Sequence, residues 1–288
     1  MNYNPKIHDR AHLVKSLLGT IEWLMHRPAE KGLWVLNYHG TPLSMMDEFK
    51  AQYNWLKRYY SFVSPNEFEA MMNGSKAISG RQLLLTFDDG LKNNLHVARF
   101  LQQEGVAAYF FVVPAFIDCP VGEQAAYYAT HIRPNPPAAT HPEAEDCLAM
   151  SREDLLQLQT MGHRIAAHTY THSLVAAKSN EEKSRREVVE VKNYLRTMGI
   201  ERVSSFCSIN NSLESVGPRE KKLIAENYQY HFTTLPGNNA LDANPLFIKR
   251  MNVEVHWLKG AMQYALGSWD LKRWKARIQQ FEAIPVGG

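Results

Sequence analysis

Short apolar runs alternate with stretches whose apolar residues recur every three or four positions, and the alternation repeats along most of the chain. Trp34-Val35-Leu36-Asn37-Tyr38 reads as a buried strand. Residues 47–58, with Phe49, Tyr53 and Leu56 on one side, read as the helix after it. Leu83-Leu84-Leu85-Thr86-Phe87 predicts a second strand, residues 94–104 a helix closed by Gly105, and residues 107–113 a third strand. Ser151 to Asp154 has the form of a capping box, opening a helix that stops at Gly162, and residues 163–167 predict a short strand. Residues 181–198 place Val188, Val191, Leu195 and Met198 on one face and carry Glu181–Arg185 and Glu182–Arg186 pairs, which predicts a long helix. Strands at 203–207, 230–234 and 247–253 and a helix at 218–227 complete the body. The pattern lapses at 114–150, where Pro134, Pro136 and Pro137 predict an irregular insertion. Strands alternating with helices imply an α/β domain with a parallel sheet and right-handed crossovers, either open or closed into a barrel.

The two ends read differently. Residues 1–32 form an N-terminal helical extension and 256–288 a C-terminal helical tail around a domain at 33–255. In the helix at 11–27, Leu13, Leu17, Leu18, Ile21, Trp23, Leu24 and Met25 are interleaved with Lys15, Glu22, His26 and Arg27. Its apolar face is expected to pack on the domain, with a membrane surface or a second copy as the alternatives. The oligomeric state is left open.

Composition narrows the class. With 288 residues, 45% of them hydrophobic, the chain can bury one large core. Its 32 basic and 29 acidic residues are mixed, so no nucleic-acid-binding stripe is expected. Three widely spaced cysteines, Cys119, Cys147 and Cys207, suit a reducing compartment better than a disulfide framework. The start, Met1 to Lys6, lacks a secretory pattern, and no apolar run reaches about 18 residues, so a cytoplasmic protein, at most touching the inner face of a membrane, is expected.

The candidate chemistry lies at strand ends, where parallel sheets bind ligands. "LLLTFDDGLKNN", residues 83–94, ends a buried run on Asp88 and Asp89. Adjacent carboxylates there can divide two tasks, one binding a cation and the other moving a proton, although an acidic helix start explains the pair too. "AAHTYTHSL" sets His168 and His172 four apart after a strand, a spacing that reaches one metal ion. With twelve histidines the spacing alone carries little weight, and His8 with His12 repeats it without a leading strand. Position distinguishes the later pair, and two such strand ends together would make a site of two histidines and one carboxylate.

"TFDDG" at 86–90 with "HTYTH" at 168–172 resembles the first two signature motifs of the polysaccharide deacetylase family, the NodB-homology or carbohydrate esterase family 4 enzymes. "VLNYHG" at 35–40 and "VAAYFFVV" at 106–113 resemble the flanking strands. The resemblance implies a distorted (β/α) barrel with an incomplete strand count. It implies Asp89, His168 and His172 as ligands of a divalent metal, zinc most often and cobalt or another ion otherwise, and Asp88 as catalytic base. The family's acid, a histidine near the last strand, is matched by His256, although the surrounding Leu-x-x-His motif is missing. Arg250, in "FIKRMNV", matches an arginine of some relatives and is placed to pair with Asp88. The third motif should fall at 205–213, where Cys207-Ser208-Ile209-Asn210-Asn211 stands instead, so Asn210, Asn211 and, after the first strand, His39 are the candidates for contacting substrate. Tyr127, Tyr128 and His131 in the insertion offer rings to stack on a sugar.

The expected reaction is metal-dependent removal of acetyl from an N-acetylated amino sugar in surface-glycan or lipopolysaccharide biosynthesis, presented as a sugar nucleotide, a lipid-linked sugar or a glycan precursor. The competing readings are a glycan-binding protein without turnover and a deacylase acting on a non-sugar amide.

Overall fold

The computed structural model describes residues 10–26, 31–134, 144–173, 180–209, 212–239 and 244–286. Its strands are β1 (Gly32–Tyr38), β2 (Ser61–Phe62), β3 (Arg81–Phe87), β4 (Tyr109–Val112), β5 (Arg164–Ala167), β6 (Ser205–Cys207), β7 (Tyr230–Phe232) and β8 (Met251–Asn252). They pair in the order β7-β6-β5-β4-β3-β1-β8, with β2 on β3, and every pair of named strands is parallel. Helices intervene between most of them, as crossovers between parallel strands require.

The sheet curls until its ends meet. Residues 245–253 bridge the gap: on one side the Ile248 N–H donates to His231 C=O at 2.8 Å and the Thr233 N–H to Ile248 C=O at 2.8 Å. On the other side the Val253 N–H donates to Asn37 C=O at 2.9 Å. The result is a distorted (β/α) barrel with an incomplete set of strands. Sequence pattern predicts one strand at 247–253, but this segment divides its hydrogen bonds between β7 and β1, so only Met251–Asn252 sits in a regular ladder.

Strand alternation separates two apolar layers. Leu33, Val35, Leu84, Tyr109, Phe111, Ala166 and Phe232 meet inside the curl, where Phe68 and Met71 of helix Pro65–Met72 join them. The alternate residues, among them Trp34, Leu36, Leu85, Phe87 and Phe110, pack against the surrounding helices. Both faces are buried, which is why the strands read as nearly unbroken apolar runs. Helix Pro65–Met72 was not expected, although Ser64 and Glu67 form a reciprocal capping box at its start.

The insertion at 114–150 is more regular than its prolines suggested. Its described part contains helices Pro114–Ile117 and Val121–Tyr127, a π-helical turn Tyr128–Ile132 and a 3₁₀ turn Ala144–Cys147. Pro114 opens the first helix and Pro120 precedes the second, positions where a proline costs no hydrogen bond. Phe116, Tyr128, Ile132, Cys147 and Ala149 form a small core of their own with Leu91 and Val113.

The chain ends come together outside the barrel. Helix Arg10–His26 lies against helix Lys259–Ala265 so closely that a Cβ on Gly19 would stand 2.0 Å from the Gly260 carbonyl oxygen. The Glu22 carboxylate caps the last helix, Ser268–Glu282, accepting from the Trp269 N–H at 3.0 Å and the Ser268 hydroxyl at 2.6 Å. Among the described residues no helix is long and apolar enough to cross a membrane.

Candidate active site

The inward positions at the carboxyl ends of the strands change from apolar to polar. Asn37, Asp88, His168, Arg250 and Asn252, with His39, Asp89, His172 and Glu254 just beyond, line one cleft of about 310 Å³. Of the residues singled out from sequence, six share one cavity: Asp88, Asp89, His168, His172, Arg250 and His39.

Two half-sites divide the adjacent carboxylates. Asp88 faces Arg250, whose Nη1 and Nη2 donate to Oδ1 and Oδ2 at 2.8 Å each. The guanidinium is held in turn by Thr233 C=O, Asn37 Oδ1, Thr86 Oγ1 and the Cys207 sulfur, and it is 1% exposed. Burial opposes ionisation of Asp88, but Arg250 and His168 outweigh it and hold the carboxyl below its ordinary pKa. Cys207, Asp88 and His168 come within reach of one ion as well, but the Arg250 cation already lies against the first two. Burial pushes the Cys207 thiol well above its ordinary pKa, so it is not a poised nucleophile.

Asp89 turns the other way. Its backbone has φ of 75°, in the left-handed region, and this rotation aims the side chain at His168 and His172. Asp89 Oδ1 stands 3.4 Å from His168 Nε2 and 3.3 Å from His172 Nε2. The Nδ1 of His168 lies 3.1 Å from Cys207 C=O and that of His172 2.7 Å from His131 C=O. Carbonyls only accept, so both rings carry their proton on Nδ1 and present a lone pair at Nε2. Three acceptor atoms thus converge in a buried site, and among the described residues Asp89 Oδ1 has no hydrogen-bond donor. A cluster that stabilises positive charge and lacks a donor fits a divalent cation bound by two imidazoles and one carboxylate.

The loop carrying the histidines is strained and braced. Thr169 and His172 have φ of 54° and 59°, rare values for side-chain-bearing residues. Buried Glu187 compensates by accepting from the N–H groups of Tyr170 at 2.9 Å and Thr171 at 2.8 Å and from the Thr171 hydroxyl at 2.6 Å. Glu187 sits in a π-helical turn, Arg186–Glu190, within the long helix, a local widening frequent beside functional sites. Sequence periodicity did not reveal it, because an interior helical glutamate reads as a solvent-facing residue.

A third charged group faces the cleft and was also missed. Glu254 Oε1 lies 3.2 Å from His39 Nδ1 and accepts from Arg133 Nη2 at 2.8 Å. Burial opposes its charge, but Arg133 and then His39 hold the Glu254 carboxyl at a pKa of about 2. Burial lowers His39, and Glu254 more than reverses this, leaving it raised. His256 is carried away by the turn that the Trp257 N–H closes on Glu254 C=O at 2.9 Å; its ring lies 6.4 Å from that of His12, and it is not among the cleft residues. Asn210 and Asn211 lie outside the described residues. In the insertion, Tyr127 stacks on Phe116 and Tyr128 is buried, while Ile132 and Arg133 reach the cleft instead.

Residues 75–212 match the model of the family described as polysaccharide deacetylase, a span running from before β3 to just past β6 and including both motifs. Over this span the chain is similar to the polysaccharide deacetylase family. Its members are hydrolytic deacetylases, enzymes that cleave carbon–nitrogen amide bonds of carbohydrates. The fold agrees with solved members. The BpsB deacetylase domain from Bordetella bronchiseptica is 18% identical with a TM-score of 0.60, covering 78% of this chain and 96% of that one. IcaB from Ammonifex degensii is 20% identical with a TM-score of 0.59, covering 82% and 98%. A de-N-acetylase from Aggregatibacter actinomycetemcomitans is 14% identical with a TM-score of 0.61, covering 81% and 99%. No curated protein sequence matches the chain.

Proposed function

We propose that this chain is a divalent-metal-dependent N-deacetylase of N-acetylated amino sugars. One observation carries the reading: three lone-pair donors, Asp89 Oδ1 and the Nε2 atoms of His168 and His172, converge beside a second carboxylate, Asp88, that is kept ionised by Arg250. A cation held by the first three residues, zinc above all by their chemistry, would lower the pKa of a water and polarise an acetamide carbonyl. Asp88 accepts the proton that the attacking water gives up. Arg250 fixes both carboxylate oxygens, so the base is oriented and charged before substrate arrives.

The carbon–nitrogen bond breaks as the amine nitrogen takes a proton, and the water oxygen leaves in acetate. His39 supplies that proton, since it faces the cleft and Glu254 favours its protonated form, and His256 does not face the cleft. Asn37 and Asn252 offer amides to the sugar hydroxyls. The fitting substrates are an amino sugar on a nucleotide, on a lipid carrier or in a glycan precursor of the cell surface. Three free cysteines favour the cytoplasm.

The test is acetate release from a panel of N-acetylated sugar nucleotides, lipid-linked sugars and oligosaccharides, using protein with its metal content measured. Metal-dependent acetate is expected from one class. Metal-loaded protein that frees no acetate, but binds a glycan or cleaves another amide, would overturn the reading.

A further inference from the structure

Helix Arg10–His26 buries only one side. Gly19 and Trp23 face inward, whereas Leu13, Val14, Leu17, Ile21, Leu24 and Met25 are 40–77% exposed. At 3.6 residues per turn these six fall within an arc of about 120°. The helix's only carboxylate, Glu22, is 4% exposed and committed to capping Ser268–Glu282, so this face carries no acid. Exposed Arg10 falls within the same arc and exposed Lys15 lies on the same helix, while the capped helix carries exposed Lys272, Arg273, Lys275 and Arg277 after Asp270.

Charge selects what covers such a face. A second copy apposed about a two-fold axis would set these cations against their own kind. An anionic bilayer satisfies both features, taking the aliphatic side chains at its acyl boundary and the cations at its phosphates. We propose that this helix docks the protein on an anionic lipid surface. The cleft is coupled to the docked helix: the Leu258 N–H donates to His12 Nε2 at 3.3 Å, and Glu254, four residues earlier, forms part of the cleft wall. The attachment does not depend on the reaction proposed above.

The full chain is floated on a density gradient with phosphatidylcholine vesicles containing phosphatidylglycerol, and separately with phosphatidylcholine alone. Flotation is expected with the anionic vesicles, falling on the order of tenfold with Leu17→Glu/Leu24→Glu and weakening as salt rises. Both side chains are exposed, so the melting temperature should not change. Failure to float, flotation that survives the double substitution, or equal binding to neutral vesicles would each overturn the proposal. A dimer in sedimentation velocity that the same substitution splits would assign the face to a second copy and overturn it too.

Discussion

Individual side chains divide the labour of the site, and their neighbours set each role. Asp88 and Asp89 are adjacent in sequence, yet Arg250 claims one and two imidazoles the other. Asp88→Asn removes the proposed proton acceptor but leaves the three converging donors. Turnover should fall by about 10²–10⁴-fold with metal content unchanged, measured by acetate release beside metal analysis. The Arg133–Glu254–His39 group makes a prediction with two signs. Glu254 raises His39 and Arg133 lowers it, so the alkaline limb of kcat/KM, where protonated His39 is lost, should move to lower pH in Glu254→Gln and to higher pH in Arg133→Ala. Shifts in the same direction would separate His39 from the acid step. The two motifs were legible because each lies within a few residues at one strand end. Glu254 and Arg133 were not, since 121 residues separate them and only the curled sheet brings them together.

Elements place these side chains through departures from regular geometry. The loop after β5 turns through left-handed residues at Thr169 and His172, and Glu187 in the widened turn of helix 181–197 supplies the acceptor that holds it. Glu187→Ala removes the acceptor of both N–H groups and of the Thr171 hydroxyl. Metal affinity should fall about 10–100-fold, as read by competition with a chelating dye, with little change in fold by circular dichroism. An unchanged affinity would show that the loop holds its shape without Glu187. Packing of the terminal helices tests a different element. A Cβ at Gly260 would stand 2.1 Å from the Ser16 carbonyl oxygen, so Gly260→Leu should separate the helices at a cost of about 1–3 kcal/mol in urea unfolding.

The whole molecule is a barrel held by apolar layers, with its charged groups gathered at one end. Its fold should therefore outlast removal of the metal, unlike a small domain nucleated by zinc. Added zinc at about 100 times its dissociation constant should stabilise the protein by about 2.7 kcal/mol, visible as a higher melting temperature that a chelator reverses and His168→Ala/His172→Ala abolishes. A zinc shift that persists in the double variant would place the metal elsewhere. The alternation of the main strands and helices, their apolar faces and the residues at the ends of β3 and β5 were determined by the sequence itself, because period-two and period-3.6 patterns record which way successive side chains point. Only the tertiary structure decided which strand ends share a cleft, that residues 245–253 close the barrel, and that His39 rather than His256 faces the site. Those outcomes depend on curl and register accumulated over the sheet. Arg250 meets Asp88 across 162 residues of chain, a pair that the family resemblance anticipated but that no local pattern over such a distance can specify.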